Sequence, residues 1–442
     1  MLHSDLGRAG DNALADALAE MVAAFVARNP ASQAAHVRAS AVLPGGNTRS
    51  VLHYDPFPLA MVRGQGCRLW DADGHEYVDF LGEYTAGIYG HSDPRIAAAI
   101  HGAVAGGLNF GSTTLREAEL AELIKARFPS MELLRFTNSG TEANLMALAL
   151  ATTHTGRAAV MVFEGGYHGG VLTFPPGGSP VNVPHPYVMA RYNDLEGTRA
   201  LIRAHAGDLA AVLIEPMMGG GGCIAGDADF LAMLRAETTA AGALLIFDEV
   251  MTSRLAGGRG LQHAQGITPD LTTMGKYIGG GMSAGAFGGR GAIMARFDPR
   301  RADALPHAGT FNNNALTMAA GTVGLRDIFT PEAADALNAR GDALRARLND
   351  LLRGAAVPVC VAGVGSLMNF HPVAEIPRAP HEHAHADKRA RDLVFFDLLE
   401  AGLYMARRGL MALSLPLGEA EMDRLVGTVN DCLPRWKALI RG

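Results

Sequence analysis

The sequence predicts an α/β fold: a large domain on a mostly parallel central sheet, joined to a smaller α+β domain. Three observations carry that expectation. At 442 residues the chain exceeds what one hydrophobic core usually organises, so two domains are expected. From about residue 115 a helical pattern followed by an apolar run repeats: LLRF at 133–136, AAVMVF at 158–163, AAVLI at 210–214 and ALLIF at 243–247. Continuous apolar runs fit strands covered on both faces, as in a parallel sheet sheathed in helices. After residue 330 glycine thins out and the pattern changes to that of a second unit.

Taken in order, residues 12–28 (NALADALAEMVAAFVAR) place apolar side chains at helical spacing, and Asn29-Pro30 closes the pattern. VLPGGNTRSVL is irregular, with Arg49 in otherwise uncharged surroundings. PLAMVRGQGCRLWDADGHEYVDF, with turns at Gly64-Gln65-Gly66 and Asp73-Gly74, suggests a small antiparallel sheet. Beyond the large domain come a long helix over roughly 332–353, the strand-like VGSLMNFHPV, a helix over 386–401, the strand GLMALSLPL and a helix from about 418 to 438. Both ends share a short-strand character. The expected division is therefore 1–75 joining the small domain, 76–331 as the large domain and 332–442 as the C-terminal small domain.

A net charge of −6 and a pI near 6.2 leave no basic field for nucleic acid or anionic lipid, so small ligands are the expected partners. Cys67, Cys223, Cys360 and Cys432 show no CxxC spacing. With no signal-peptide pattern and no run of about 20 uncharged apolar residues, a cytoplasmic location is expected.

In sheets of this type ligands bind at the carboxyl ends of strands, and the chemistry-bearing residues follow the apolar runs. Within LTTMGKYIGGGMSAGAFGG the only charge is Lys276, in a chain with four lysines among 38 basic residues. A lysine amine, unlike a guanidinium, reaches a neutral nucleophilic state at accessible cost, so Lys276 is a candidate Schiff-base lysine or a partly buried structural one. After LLRF, Ser139-Gly140-Thr141-Glu142 opens a helix with capping-box spacing, and the same free N–H groups and dipole could hold a phosphate. After AAVMVF come Tyr167 and His168 between glycine pairs, where an aromatic ring could cover a flat ligand or simply occupy a loop. After ALLIF comes Asp248, a carboxylate that needs a cationic or hydrogen-bonding partner, or a helix cap. HAGTFNNNALT offers Thr310 at another helix start. Considered together, an anion site, an aromatic plane, a strand-end carboxylate and an isolated lysine meet the needs of pyridoxal 5′-phosphate. The alternating histidines of HEHAH (381–385) lack accompanying carboxylates or cysteines and are not expected to bind metal.

FTNSGTEAN, IFDEV, TMGKYIGGG and HAGTFNNN stand in the order and spacing of a known family. From about residue 40 to its end the chain resembles the class III pyridoxal-phosphate-dependent aminotransferases of fold type I. The resemblance implies phosphate ligands at Ser139, Gly140 and Thr141, ring packing by Tyr167 and Val250, Asp248 at the pyridinium nitrogen and Lys276 as the Schiff-base lysine. It also implies a phosphate contact from Thr310 of the neighbouring subunit, hence a homodimer with shared active sites. PGGNTRSVL, EYTAG, YHGG and GTFNNN resemble the aromatic β-amino acid branch, which implies that Arg49 and Arg408 contact substrate carboxylates. The expected reaction moves an amino group from a donor such as β-phenylalanine to a 2-oxoacid acceptor, 2-oxoglutarate or pyruvate. Met251 stands where many members have glutamine and resembles the glutamate-1-semialdehyde aminomutase branch, the alternative activity.

Overall fold

The computed structural model describes residues 2–440, with side-chain detail from Asn12 onward. Its central sheet has seven strands in the order Leu133–Thr137, Gly285–Gly289, Leu271–Gly275, Leu244–Asp248, Leu209–Ile214, Ala159–Phe163, Tyr187–Ala190. Six run parallel; Gly285–Gly289 is antiparallel to both its neighbours. Strand periodicity sends successive side chains to opposite faces. Val160 and Val162 meet Ala147, Leu148 and Ala151 of the helix Gly140–Thr155, whereas Met161 and Phe163 meet Phe230 and Leu234 of the helix Ala228–Ala241. Both faces are dry, which is why these strands read as unbroken apolar runs.

Leu271–Gly275 and Gly285–Gly289 were hidden in sequence because they carry threonine and glycine instead of an apolar run. The glycines follow from crowding: a Cβ at Gly285 would lie 2.1 Å from the Ser139 carbonyl oxygen, and one at Gly289 2.1 Å from that of Asp270. Asn29-Pro30 does end the first helix, Leu2–Arg28. Pro30 also opens an unforeseen second helix, Pro30–Ser40, since a proline at the first helical position lacks only an N–H that has no partner there. The expected GLMALSLPL strand shrinks to Leu410–Ala412.

The two ends of the chain meet. Met61–Gln65, Arg68–Asp71 and Glu76–Asp79 form an antiparallel meander, and Leu403–Tyr404 joins it parallel to Glu76–Asp79. Phe25 of the first helix packs in one core with Phe395, Phe396 and Trp436, and Trp436 Nε1 donates to the buried Asp397 carboxylate at 2.7 Å. The hairpin Cys360–Val364 and Leu367–His371 pairs with Leu410–Ala412. Among the described residues no helix is long and apolar enough to cross a membrane.

Candidate active site

Parallel strands end on one edge of the sheet, and that edge gathers residues far apart in sequence. The pairing of Asp248 with Thr273 puts the end of one strand three residues before Lys276 at the end of the next. Ser139 follows the strand Leu133–Thr137, Glu215 follows Leu209–Ile214, and Tyr167 and His168 follow Ala159–Phe163.

Asp248 is buried and fully engaged on one oxygen: Oδ2 accepts from Asn144 Nδ2 and from His168 Nδ1, each at 2.8 Å. Its Oδ1 accepts from the Val250 N–H at 3.0 Å, leaving a lone pair for one more donor. Asn144 holds the assembly together. Its Nδ2 also donates to the His168 carbonyl at 3.0 Å, and its Oδ1 accepts from Thr273 Oγ1 at 2.7 Å. Such satisfied polar networks keep a buried carboxylate in place.

Lys276 opens the turn Lys276–Gly279 in a left-handed conformation, φ +60°, which non-glycine residues rarely adopt and which is most often found at functional sites. Among the described residues its Nζ makes no hydrogen bond or ion pair. Burial pushes its pKa down to about 8, the Asp248 and Glu215 carboxylates pull it partly back, and Arg408 and Arg49 press it lower. A substantial neutral fraction near pH 8 suits a nucleophilic amine.

The helix Gly140–Thr155 begins with Ser139 as its cap, Oγ accepting from the Glu142 N–H at 3.2 Å. The expected reciprocal bond is not formed. The Glu142 carboxylate accepts instead from the Asn138 N–H at 2.9 Å and from Asn138 Nδ2 at 3.1 Å, because it reaches one residue further back. Val250 packs directly on Gly140, where a Cβ would lie 2.8 Å from Val250 Cγ2. Thr141 faces Gly169, where a Cβ would fall 2.2 Å from Thr141 Oγ1.

Lys276 opens on a cavity of about 640 Å³, also lined by Arg49, Tyr84, Tyr167, Met251 and Arg408. Arg49 pairs with Glu83 at 2.7 Å, and Arg408 Nη1 donates to the Gly220 carbonyl at 3.2 Å. Both guanidiniums lie over the Tyr84 ring, at 5.4 and 5.9 Å from its centroid. Ser139, Gly140, Thr141, Asp248 and Val250 are not among the residues that line it. Thr310 is exposed and stands apart from the cavity, although Asn312 of its segment accepts from Asn138 Nδ2 at 3.0 Å. Sequence reasoning missed Asn144, Glu83 and Tyr84, although NSGTEAN and EYTAG contain them.

A family model for class-III aminotransferases matches residues 51–418. The chain belongs to that family. It is 53% identical to the β-phenylalanine transaminase of Variovorax paradoxus, over 97% of this chain and 98% of the relative. The crystal structure of the β-phenylalanine aminotransferase from Variovorax paradoxus superposes with a TM-score of 0.95, covering 97% of this chain and 99% of that one. A glutamate-1-semialdehyde 2,1-aminomutase of Sorangium cellulosum is 37% identical over 92% of this chain and 97% of the relative. A solved transaminase with PLP bound is 34% identical, with a TM-score of 0.85, 94% of this chain and 99% of that one covered. This class-III aminotransferase is thus a fold type I enzyme whose cofactor is pyridoxal phosphate. The residues present fit that group. A helix start free for an anion, a carboxylate oxygen with a spare lone pair, and an amine without a competing partner lie along one sheet edge.

Proposed function

We propose that the enzyme moves the amino group of an aromatic β-amino acid, such as β-phenylalanine, to a 2-oxoacid, 2-oxoglutarate or pyruvate. The observation carrying this reading is the placement of Arg49 and Arg408 on one cavity with Lys276, both guanidiniums against the ring of Tyr84. A β-amino acid holds its carboxylate one carbon further from the reacting C–N bond than an α-amino acid. Arginines borne on a loop and a turn can meet a carboxylate at that distance without altering the sheet. The cavity is cationic besides: Arg191, Lys388 and Arg391 also line it, against Glu164 as the single lining carboxylate among the described residues. The β-phenylalanine transaminase relative supports the same donor class.

Bound pyridoxal phosphate supplies a carbonyl for the amine and a ring that accepts electrons. The Ser139-Gly140-Thr141 helix start would hold the phosphate. Tyr167 and Val250 would pack against the ring, and Asp248, fixed by Asn144 and His168, would hold a proton on the ring nitrogen. Lys276 would anchor the cofactor and, once freed, would act as general base on the proton of the donor's amino-bearing carbon and then as general acid in delivering that proton to the cofactor, leaving the amino group there. Arg49 and Arg408 orient donor and acceptor by their carboxylates.

We infer a homodimer in which Thr310 reaches the phosphate of the neighbouring site. Leu108, Phe110, Leu115 and Phe311 are 43, 58, 93 and 54% exposed, an apolar group beside Thr310 that a second copy would cover. A fully active monomer in sedimentation would remove that part of the reading.

The deciding experiment is a donor panel with 2-oxoglutarate, setting β-phenylalanine enantiomers against α-amino acids and terminal amines. A β-phenylalanine enantiomer is expected to be the best donor; preference for an α-amino acid overturns the substrate assignment. Met251 and the aminomutase relative favour a second reading, isomerisation of an amino-aldehyde. Turnover of such a substrate without any 2-oxoacid would establish it.

A further inference from the structure

The glycines at 219–222, of which Gly220 and Gly221 line the cavity, have their backbone held by four side chains from different parts of the chain. The Gly219 N–H donates to Glu215 Oε2 at 2.9 Å. The Gly220 carbonyl accepts from Arg408 Nη1 at 3.2 Å, that of Gly221 from His383 Nε2 at 3.1 Å, and that of Gly222 from His371 Nε2 at 2.8 Å. No larger residue fits. A Cβ at the four positions in turn would lie 2.0 Å from Met251 Sδ, 2.9 Å from Tyr167 Cβ, 2.5 Å from Met218 Sδ and 2.3 Å from His371 Cε1. The loop therefore seats Tyr167, Met251 and Arg408, three residues of the cavity wall.

His383 belongs to the turn Pro380–His383, within the HEHAH segment. Among the described residues no cluster of histidine, cysteine and carboxylate groups could hold a metal. His383 instead packs edge-on against His371, ring centroids 4.7 Å apart, and Pro380 closes on Gly165 and Gly221, where a Cβ would be 2.8 and 2.9 Å from its Cγ. This turn covers the cavity from the small-domain side, pinned to the glycine loop through the imidazole. A carbonyl only accepts, so both rings present Nε2–H. Burial lowers the pKa of both, that of His371 to about 4, which keeps them neutral at pH 7.

Arg408 depends on this loop. Its Nε is buried without a partner, and among the described residues the Gly220 carbonyl is its one hydrogen-bond acceptor. We propose that His383 is a positioning residue for Arg408: by fixing the Gly221 carbonyl it sets the neighbouring Gly220 carbonyl, which aims the guanidinium into the cavity before a carboxylate arrives. This rests on the reading of Arg408 as a carboxylate binder.

The test compares the His383→Phe and His383→Gln holoenzymes. Phenylalanine keeps the ring edge on His371 but has no donor, whereas the glutamine amide supplies one at a similar reach. Loss of one neutral hydrogen bond predicts a KM increase of about two- to tenfold for a carboxylate-bearing substrate in His383→Phe. Its kcat should change less than twofold, and the KM for an arylalkylamine lacking the carboxylate should stay put. His383→Gln should restore the wild-type KM. Hydrogen exchange at the amides of residues 219–223 should speed up in the phenylalanine variant alone, whatever the substrate. Unchanged KM values and exchange in His383→Phe overturn the proposal, as do parallel losses of kcat, KM and thermal stability in both variants. If the wild type fails to transaminate β-amino acids, the functional reading falls, while the exchange comparison still judges the clamp.

Discussion

Glu83 occupies Arg49 at 2.7 Å, so a substrate carboxylate reaching Arg49 has to displace a carboxylate already there. Glu83→Gln removes the competing charge and keeps the side-chain length. The pair is well exposed, 46 and 56% for the two side chains, and exposed ion pairs contribute about 0.2–1 kcal/mol. Releasing that energy should lower the KM of the Arg49-bound substrate by about 1.4- to 5-fold. The full carboxylate–guanidinium contact is worth roughly 1.5–3 kcal/mol, so Arg49→Gln should raise the same KM by about 10- to 150-fold, less what the ion pair already withheld. A double-mutant cycle on steady-state KM for donor and acceptor isolates the coupling. In the Arg49→Gln background Glu83→Gln should do nothing. A gain from Glu83→Gln that persists without Arg49, or a KM that rises on removing Glu83, would refute the competition argument.

Three further outcomes follow from the site. With the Lys276 pKa lowered to about 8 by burial, its amine is charged below that value and neutral above it. The rate at which apoenzyme captures pyridoxal phosphate, followed by cofactor absorbance, should therefore rise with pH through about 8 and level off, and Lys276→Ala should abolish both that signal and transamination. Gly140→Ala forces a methyl onto Val250, and overpacking of about 1–3 kcal/mol predicts cofactor affinity weakened by roughly 5- to 150-fold in equilibrium dialysis. Asn144→Ala strips one donor from Asp248 and leaves Thr273 Oγ1 without its acceptor, so kcat and thermal stability should both fall, whereas Asn144→Ser should recover part of each.

The sequence by itself determined the kind of sheet and the list of chemical groups. The strands Ala159–Phe163, Leu209–Ile214 and Leu244–Asp248 are buried on both faces and so had to be apolar almost throughout, and a lysine, a helix start suited to an anion and an aspartate each stand at a strand end, where ligands bind in sheets of this type. Tertiary structure alone decided the rest. The strands Leu271–Gly275 and Gly285–Gly289 were invisible because they carry threonine and glycine in place of an apolar run, and Gly285 and Gly289 answer to backbone crowding from Ser139 and Asp270, not to hydrophobic burial. Asn144, between Ala143 and Leu145 on a helix, becomes the keystone of Asp248 only when two strands and a loop converge on it. His383, one of the alternating histidines of HEHAH, is a backbone clamp in three dimensions, since the carbonyl it meets, that of Gly221, lies 162 residues away in the chain. Local composition records what each residue must be; which residues share a hydrogen bond depends on strand order and register, and those are set by packing over the whole chain.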